Sequence, residues 1–258
     1  MTSDYGYQVL RFYVPNSLQN YNHLLHNQHQ ALICDPFDHQ QCLDKLKQHQ
    51  LQAQAILLTH NHGDHSRAAA SLSQALGLPV YAHPESDYPH KFIPLADGQS
   101  LPIAPEILAW HCPGHRWDHL CFTNAQHQWL IAGDLIFNAG VGNTRQGDSE
   151  QLYQSVMSLV ARLPDECLIY PSHDYLLHNL GFSLSIRPQL QRAQELLSAQ
   201  QSLTPDQRLV SSLALEKEIN LFLQCDQSEL QTQLAQLGIK AHNALQYFVG
   251  LRQLRDKW

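Results

Sequence analysis

Thr59-His60-Asn61-His62-Gly63-Asp64-His65 gathers three histidines and an aspartate within six residues. The segment before it, residues 53–58, is short and apolar and predicts a buried strand. The segment after it, residues 66–76, predicts a helix that stops at Gly77. A strand that ends in a cluster of imidazoles and a carboxylate is typical of a metal-binding site.

The spacing inside this stretch suggests how the side chains are shared. His60 and His62 are two residues apart, so in an extended segment both point to the same side and can reach one ion. Asp64 and His65 follow where the chain turns and can face a second ion. The alternative is a polar loop in a chain that carries 17 histidines, but four ligand-type residues at this spacing favour a metal site.

Length and charge narrow the function classes. The 258 residues suffice for one large domain, or for a medium and a small one, and the 43% hydrophobic content allows a sizeable core. The formal net charge is -7, and no long run of lysine or arginine occurs. We therefore expect neither a nucleic acid nor an anionic membrane as partner.

The cysteines and the hydropathy pattern indicate a cytoplasmic protein. No CxxC pair occurs, Met1 to Tyr13 does not resemble a secretory signal, and no stretch is long enough for a transmembrane helix. Free thiols in a reducing compartment are the simplest interpretation of the six cysteines, which are Cys34, Cys42, Cys112, Cys121, Cys167 and Cys225.

Strand patterns dominate the first two thirds of the chain and helical patterns the remainder. A helix capped by Ser149 and running to Leu163 is predicted within the first part. Beyond about residue 179 helical periodicity prevails, in residues 188–202, 209–223, 228–237 and 241–257. We place a boundary near residues 175–180, giving a catalytic domain of residues 1–176 and a helical domain of residues 177–258.

Ligand-type side chains recur where predicted strands end. Seven of them stand at four such junctions: His60, His62, Asp64, His65, His115, Asp134 and His173. Neutral imidazoles suit zinc, iron or manganese, and a carboxylate can bridge two ions. Two ions about 3.5–4 Å apart can share a water and lower its pKa, so this constellation predicts hydrolysis.

The motifs resemble those of a known superfamily. Residues 59–65 are similar to the THxHxDH signature of the metallo-β-lactamases, and Cys112-Pro113-Gly114-His115, Gly133-Asp134 and Ser172-His173-Asp174-Tyr175 resemble its later motifs, in the same order. More narrowly, the chain resembles glyoxalase II, the hydroxyacylglutathione hydrolases. This resemblance implies an α/β fold, an αββα sandwich of two mixed sheets between helices, followed by an all-helical C-terminal domain.

The resemblance also implies roles for the ligands. His60, His62 and His115 would bind the first metal, Asp64, His65 and His173 the second, and Asp134 would bridge them. Asp64 and Asp134 would be the catalytic carboxylates. Hydroxide would attack the thioester of S-D-lactoylglutathione and release glutathione and D-lactate. We expect two divalent ions, zinc in the first place, with iron or manganese as alternatives.

The expected substrate contacts match the family pattern less completely than the metal ligands do. Tyr175 matches the tyrosine that follows the last metal histidine, and Arg252 and Arg255 resemble a basic pair on one helix face. Their alternative interpretation is a solvated helix surface. The family usually has a basic residue where Asn143 stands, and we expect Arg145 to supply part of that charge.

Further departures concern positions close to the ligands. Arg116 and Asp118 stand where the family usually has threonine and glycine, and Asn220-Leu221-Phe222-Leu223-Gln224 replaces Asn-Pro-Phe-Leu-Arg. His119 could support a metal ligand or make a structural hydrogen bond, and Asp174 could orient a ligand or cap a turn. No metal ligand is lost, so substrate affinity and acyl preference are what these changes affect.

Other functions compete with a thioester hydrolase that acts on a small glutathione conjugate. A glutathione persulfide dioxygenase with one iron shares the early motifs, but typically has a shorter C-terminal part. Another hydrolase of the superfamily is a further alternative. A non-catalytic glutathione- or metal-binding protein would not need a bridging carboxylate, and a nuclease is disfavoured by the lack of a basic patch. We expect a monomer, although the sequence itself leaves the oligomeric state, the metals and the acyl range open.

Overall fold

Two β-sheets lie at the centre of the molecule, which the computed structural model describes from residue 6 to residue 258. The first five residues of the predicted catalytic domain therefore lie outside the described part. The strands are β1 (Gln8–Val14), β2 (Asn20–His26), β3 (Gln30–Cys34), β4 (Gln52–Leu57), β5 (Val80–Ala82), β6 (Ile93–Pro94), β7 (Ser100–Leu101), β8 (Ala104–His111), β9 (Leu120–Asn124), β10 (Trp129–Gly133), β11 (Ile136–Phe137), β12 (Gly140–Val141), β13 (Leu168–Pro171) and β14 (Ser211–Ser212).

Both sheets are mixed, as expected. The first has the order β1-β2-β3-β4-β5-β6, antiparallel from β1 to β3 and parallel from β3 to β6. The second has the order β14-β13-β10-β9-β8-β7, in which only β10 and β13 run parallel. Strands β11 and β12 pair with each other as a small hairpin.

Helices cover the outer faces of both sheets. They are α1 (His39–Gln48), α2 (Gly63–Ser66), α3 (Ala69–Leu76), α4 (Ser149–Val160), α5 (Leu176–Ile186), α6 (Gln191–Gln200), α7 (Leu213–Ile219), α8 (Ser228–Gln236) and α9 (Ala244–Arg255). Asp38 caps α1 by accepting the amide of Gln41, and Gly77 ends α3 in the left-handed conformation.

Three layers of apolar side chains hold this sandwich together. One lies between the sheets and includes Leu32, Phe122 and Ile131. A second joins the first sheet to α1 and α3, and a third joins the second sheet to α4, α5 and α9. Burial of apolar surface on both faces of each sheet fixes the αββα order.

Local details differ from the sequence prediction. The cap of α4 is Asp148, whose carboxylate accepts the amide of Gln151, and the helix ends at Val160 instead of Leu163. Helix α5 was not predicted. The helical C-terminal region also contributes one short strand, β14, which pairs with β13 and fastens that region to the second sheet.

The strand ends bring distant segments to one edge of the sandwich. Residues 60–65 follow β4, His115 follows β8, Asp134 follows β10 and His173 follows β13. Because β10 and β13 are parallel neighbours, their carboxyl ends deliver Asp134 and His173 side by side. An isolated bridge between Asn20 and His173 adds the start of β2 to the same edge.

Candidate metal centre and substrate cavity

All seven predicted ligands meet at this edge, in two groups. His60, His62, His115 and Asp134 form one group, and Asp64, His65 and His173 form the other, with the potential ligand atoms of each group within 4.8 Å of one another. In the first group the Nδ1 atom of His62 lies 2.8 Å from His60 Nε2 and 3.1 Å from His115 Nε2. The three rings therefore point nitrogen atoms at a common centre.

Asp134 lies between the two groups. Its Oδ2 atom is 3.4 Å from His115 Nε2 in the first group, and its Oδ1 atom is 3.5 Å from His65 Nε2 and 3.3 Å from His173 Nε2 in the second. The carboxylate thus presents one oxygen to each group, which is the arrangement a bridging ligand requires.

In each of the five imidazole rings, the nitrogen that points away from the centre (the outer nitrogen) makes a hydrogen bond that reveals where the ring proton lies. Every outer nitrogen faces an oxygen that accepts: Thr59 Oγ1 for His60, Gln146 Oε1 for His62, an Asp35 carboxylate oxygen for His65, the Asn143 carbonyl for His115 and the Leu18 carbonyl for His173. The Thr59 hydroxyl proton is itself donated to Asp35, at 2.6 Å, so Thr59 can only accept from His60. Each neutral ring therefore carries its proton outward and turns a lone pair inward.

The buried inner atoms lack protein partners, and this fits a cation. Among the described residues, His65 Nε2 and Asp134 Oδ1 are buried without a hydrogen bond. Burial opposes charge on His65, but the carboxylates of Asp134, Asp35 and Asp64 together raise its pKa well above the ordinary value. Such concentrated negative potential beside inward-facing ring nitrogens suits divalent metal ions, because the two groups together offer five imidazoles, Asp64 and the shared Asp134 carboxylate.

Two supporting elements were missed at the sequence level. Asp35, which is 2% exposed, accepts hydrogen bonds from His65 Nδ1 at 2.9 Å and from the Thr59 amide at 2.8 Å. Asn20, the first residue of β2, donates to Asp64 Oδ2 at 2.9 Å. An aspartate directly after a buried strand was the only available signal for Asp35, whereas nothing in the sequence marks Asn20.

The structure shows a hydrogen bond to backbone for His119 and, in place of either role considered for Asp174, an ion pair. His119 is fully buried, and its Nε2 atom accepts the backbone amide of Asp134 at 3.0 Å. A Cβ on Gly133 would collide with the His119 ring, and Gly133 has φ +53°. Asp174 forms an ion pair with Arg208 at 2.8 Å, which ties the segment after His173 to the C-terminal region.

A cavity of about 320 Å³ opens beside the metal groups. It contains all five predicted substrate contacts, which are Asn143, Arg145, Tyr175, Arg252 and Arg255. The Tyr175 ring stacks on His173 with centroids 4.9 Å apart and planes 2° apart. The cavity and the metal centre are therefore contiguous through one pair of stacked rings.

The two arginines of helix α9 have different surroundings. Arg252 is 5% exposed, and its guanidinium donates to the Val141 carbonyl at 3.0 Å and to Asp256 at 2.9 Å. Arg255 is more open and donates to Asn179 at 3.2 Å. Arg145 is exposed at the rim. Arg255 and Arg145 are thus the cations that a ligand in the cavity can approach most readily.

Buried polar groups of the C-terminal region hold the β11–β12 hairpin against the centre. Glu216 is fully buried and accepts the Ala139 amide at 2.8 Å. Asn220 donates to the Gly140 carbonyl at 2.9 Å. The asparagine is the first residue of the segment that otherwise departs from the expected motif, and the loop that carries Asn143 follows directly from the hairpin that it contacts.

The sandwich and the paired His/Asp groups at its edge define a member of the metallo-β-lactamase superfamily. Residues 24–109 match the model described as metallo-beta-lactamase superfamily. Residues 174–258 match the model described as hydroxyacylglutathione hydrolase C-terminus. The chain belongs to the hydroxyacylglutathione hydrolase family.

Named relatives span almost the whole chain. A hydroxyacylglutathione hydrolase of Nitrosococcus oceani is 35% identical, covering 97% of this chain and 99% of the relative. The enzyme of the same name from Hamiltonella defensa is 35% identical, covering 95% of this chain and 98% of the relative. The one from Francisella philomiragia is 33% identical, covering 97% of this chain and 100% of the relative. These matches favour the hydrolase over the dioxygenase alternative.

Solved structures share the fold. The protein TTHA1623, crystallised in a di-iron-bound form, superimposes with a TM-score of 0.62 at 26% identity, covering 82% of this chain and all of that one. ETHE1 from Myxococcus xanthus gives a TM-score of 0.63 at 21% identity, covering 95% and 98%. The second likeness concerns the fold alone.

Proposed function

We propose that this enzyme hydrolyses the thioester of S-(2-hydroxyacyl)glutathione, with S-D-lactoylglutathione as its substrate, in the last step of methylglyoxal detoxification. The observation that carries the proposal is the Asp134 carboxylate, which faces both ligand groups beside a cavity lined by arginines. Membership of the hydroxyacylglutathione hydrolase family supports the same reaction.

The metal ligands are proposed as follows. His60, His62 and His115 would hold a first divalent ion, Asp64, His65 and His173 would hold a second, and the Asp134 carboxylate would be shared between them. Such ions lower the pKa of a bound water and polarise a carbonyl. Zinc is the proposed metal, and the donor set accepts iron or manganese as well. The di-iron form of the similar protein TTHA1623 supports keeping iron among the candidates.

The protein groups divide the remaining work. Asp35, Asn143 and Leu18 fix the tautomers of His65, His115 and His173, so lone pairs face the reaction centre before substrate arrives. Asp64 is held by Asn20 and, with Asp134, supplies the negative charge of the centre. Preorganised ligands need no rearrangement during the reaction.

The cavity binds the glutathione part of the substrate. Arg255 and Arg145 pair with its carboxylates, Arg252 and Asn143 line the wall, and the Tyr175 ring lies between cavity and metal ligand His173. The proposed division is a catalytic unit of residues 1–176 and a substrate-binding unit of residues 177–258. The side chains of both units line the cavity.

The cellular setting belongs to the same proposal. All six cysteines are buried free thiols, which supports a reducing cytoplasm. Within residues 6–258, each helix is too short or too polar to span a membrane. The net charge of -7 supports a partner that is neither a nucleic acid nor a membrane. We propose a monomer, which sedimentation analysis would test.

Purified metal-loaded protein should cleave S-D-lactoylglutathione, and a chelator should stop the reaction. The loss of thioester absorbance measures the cleavage. A thioester without glutathione should react far more slowly. Oxygen consumption with glutathione persulfide would instead support the dioxygenase. A metal-loaded preparation that is inert to both substrates would support a binding protein.

A further inference from the structure

A polar chain leads from the metal ligand His62 toward the surface. His62 Nε2 lies 3.0 Å from Gln146 Oε1, and the same oxygen lies 3.3 Å from a guanidinium nitrogen of Arg116. Because a guanidinium only donates, the Gln146 atom that faces both groups is the amide oxygen. His62 therefore carries its proton on Nε2 and turns the Nδ1 lone pair toward His60 and His115.

Arg116 is fixed from several directions. Its side chain is 6% exposed and donates to Asp118 Oδ1 at 2.8 Å and to Asp87 Oδ1 at 2.6 Å. The guanidinium also lies over the Trp117 ring, 4.0 Å from its centroid. A guanidinium held at two edges and across one face has little freedom to rotate, so its remaining nitrogen offers Gln146 a fixed donor.

The same carboxylates brace the backbone beside His62. Asp118 Oδ2 accepts the backbone amide of Asn61 at 3.1 Å, and Asp87 accepts the Asn61 side-chain amide at 2.9 Å. Residues 61–62, 87, 116–118 and 146 thus form one network. The departures Arg116 and Asp118, which the sequence left without a role, are both members of it.

We propose that Gln146, oriented by Arg116, is the positioning residue for His62 and sets the metal affinity of the first ligand group. This inference rests on the proposed metal centre. His65 in the second group donates to a carboxylate, whereas His62 donates to a neutral amide. A carboxylate raises the basicity of an imidazole ligand more than an amide does, so the first group binds its ion more weakly than the second.

Cobalt(II) titration of the metal-free protein measures this directly, because its visible absorption reports the ligands of each ion. Gln146 is exposed, so its replacement does not threaten the core. Gln146→Ala should weaken binding of the weaker cobalt equivalent by about 10- to 100-fold and change its spectrum, while the tighter equivalent stays unchanged. Gln146→Glu keeps the acceptor and adds charge, so it should bind that equivalent at least as tightly as the wild type.

Further measurements separate positioning from a general structural effect. The matched control Gln154→Ala alters an exposed glutamine of α4 that lines a different cavity, and should titrate like the wild type. In proton–nitrogen spectra of the loaded protein, the slowly exchanging Nε2 proton of His62 should persist in Gln146→Glu and be lost in Gln146→Ala. A lysine cannot reach three acceptors at once, so Arg116→Lys should weaken binding of the weaker cobalt equivalent severalfold. Wild-type affinity in Arg116→Lys would remove Arg116 from the proposal.

Two results would overturn the inference: unchanged cobalt affinity and spectrum in Gln146→Ala, or equal weakening in Gln146→Ala and Gln146→Glu. Failure of the proposed function gives a different pattern. If the wild type binds two cobalt ions and the variants behave as expected, but no thioester is cleaved, the hydrolase assignment fails and the role of Gln146 stands.

Discussion

Replacing Asp35 by asparagine should disable the second ligand group without disturbing the backbone. Asp35 has φ +50°, a left-handed conformation that asparagine tolerates as well as aspartate does. Its carboxylate accepts the Thr59 amide on one oxygen, and the Thr59 hydroxyl and His65 Nδ1 on the other. In Asp35→Asn an NH2 group replaces one of these oxygens.

The consequence is a change of tautomer in His65, a proposed metal ligand. If the amide oxygen keeps the Thr59 backbone contact, the new NH2 group faces His65 Nδ1, which must then accept. The proton moves to His65 Nε2, the atom that faces Asp64 and Asp134, and the lone pair toward the ion is lost. Loss of such a supporting carboxylate costs about 10- to 100-fold in metal affinity, or about 1.4–2.8 kcal/mol.

The assay is metal affinity by competition with a chromophoric chelator, with metal content measured by mass spectrometry. Asp38→Asn is the matched control, because it makes the same change three residues on, at an exposed helix cap that asparagine also serves. Two ions bound with wild-type affinity in Asp35→Asn would refute the argument that Asp35 sets the tautomer of His65.

Three further predictions test other parts of the account. Arg145→Ala should raise KM for the glutathione thioester by about two- to fivefold and leave kcat unchanged, as expected for one exposed charge contact. The control is Arg192→Ala, which removes an exposed arginine elsewhere. A KM in Arg145→Ala as unaltered as in the control would rule out a role for Arg145. Gly142→Ala places a methyl group against the Asp134 carbonyl and should lower the free energy of unfolding in urea by about 1–3 kcal/mol. The control Gly6→Ala has open space around the new methyl group and should not change this free energy. Equal urea midpoints for the two variants would contradict the prediction. Burial, with Arg11 nearby, lowers the pKa of His23 to about 3 from an ordinary 6.5. Below pH 6.5 the unfolded chain therefore binds a proton at His23 that the folded chain does not bind. The stability of the folded protein consequently falls as pH drops from 6.5 toward 3. Between pH 6.5 and pH 5 the wild type should therefore lose about 2 kcal/mol more than His23→Leu, and parallel losses would show that His23 does not carry this dependence.

The His and Asp side chains that meet at this edge were predictable because they follow strand ends. A strand pattern followed directly by His, Asp or Gly-Asp predicts that a polar side chain lies at the end of that strand. The order of the strands in the sheet then brings these strand ends to one edge. The supporting groups follow no such rule. Asp35 acts on His65 across 30 positions and Gln146 acts on His62 across 84, and neither separation has a local signature.

Helix α5 shows a second limit. Its sequence, LLHNLGFSLSI, is apolar around most of its circumference and contains a glycine, so it lacks the one-sided periodicity that marks a surface helix. It is buried between the second sheet and the C-terminal helices. The misplaced cap of α4 has a simpler cause, since Asp148 and Ser149 are both good capping residues and only the structure shows which carboxylate or hydroxyl meets the Gln151 amide.

The most direct test of the whole account is the rate of S-D-lactoylglutathione hydrolysis by wild type and Asp134→Asn, each loaded with zinc and measured with and without chelator. Among residues 6–258, Asp134 is the only proposed ligand that faces both groups. The account predicts rapid, chelator-sensitive cleavage by the wild type and loss of nearly all activity in the variant. Cleavage that survives both the chelator and Asp134→Asn would contradict it.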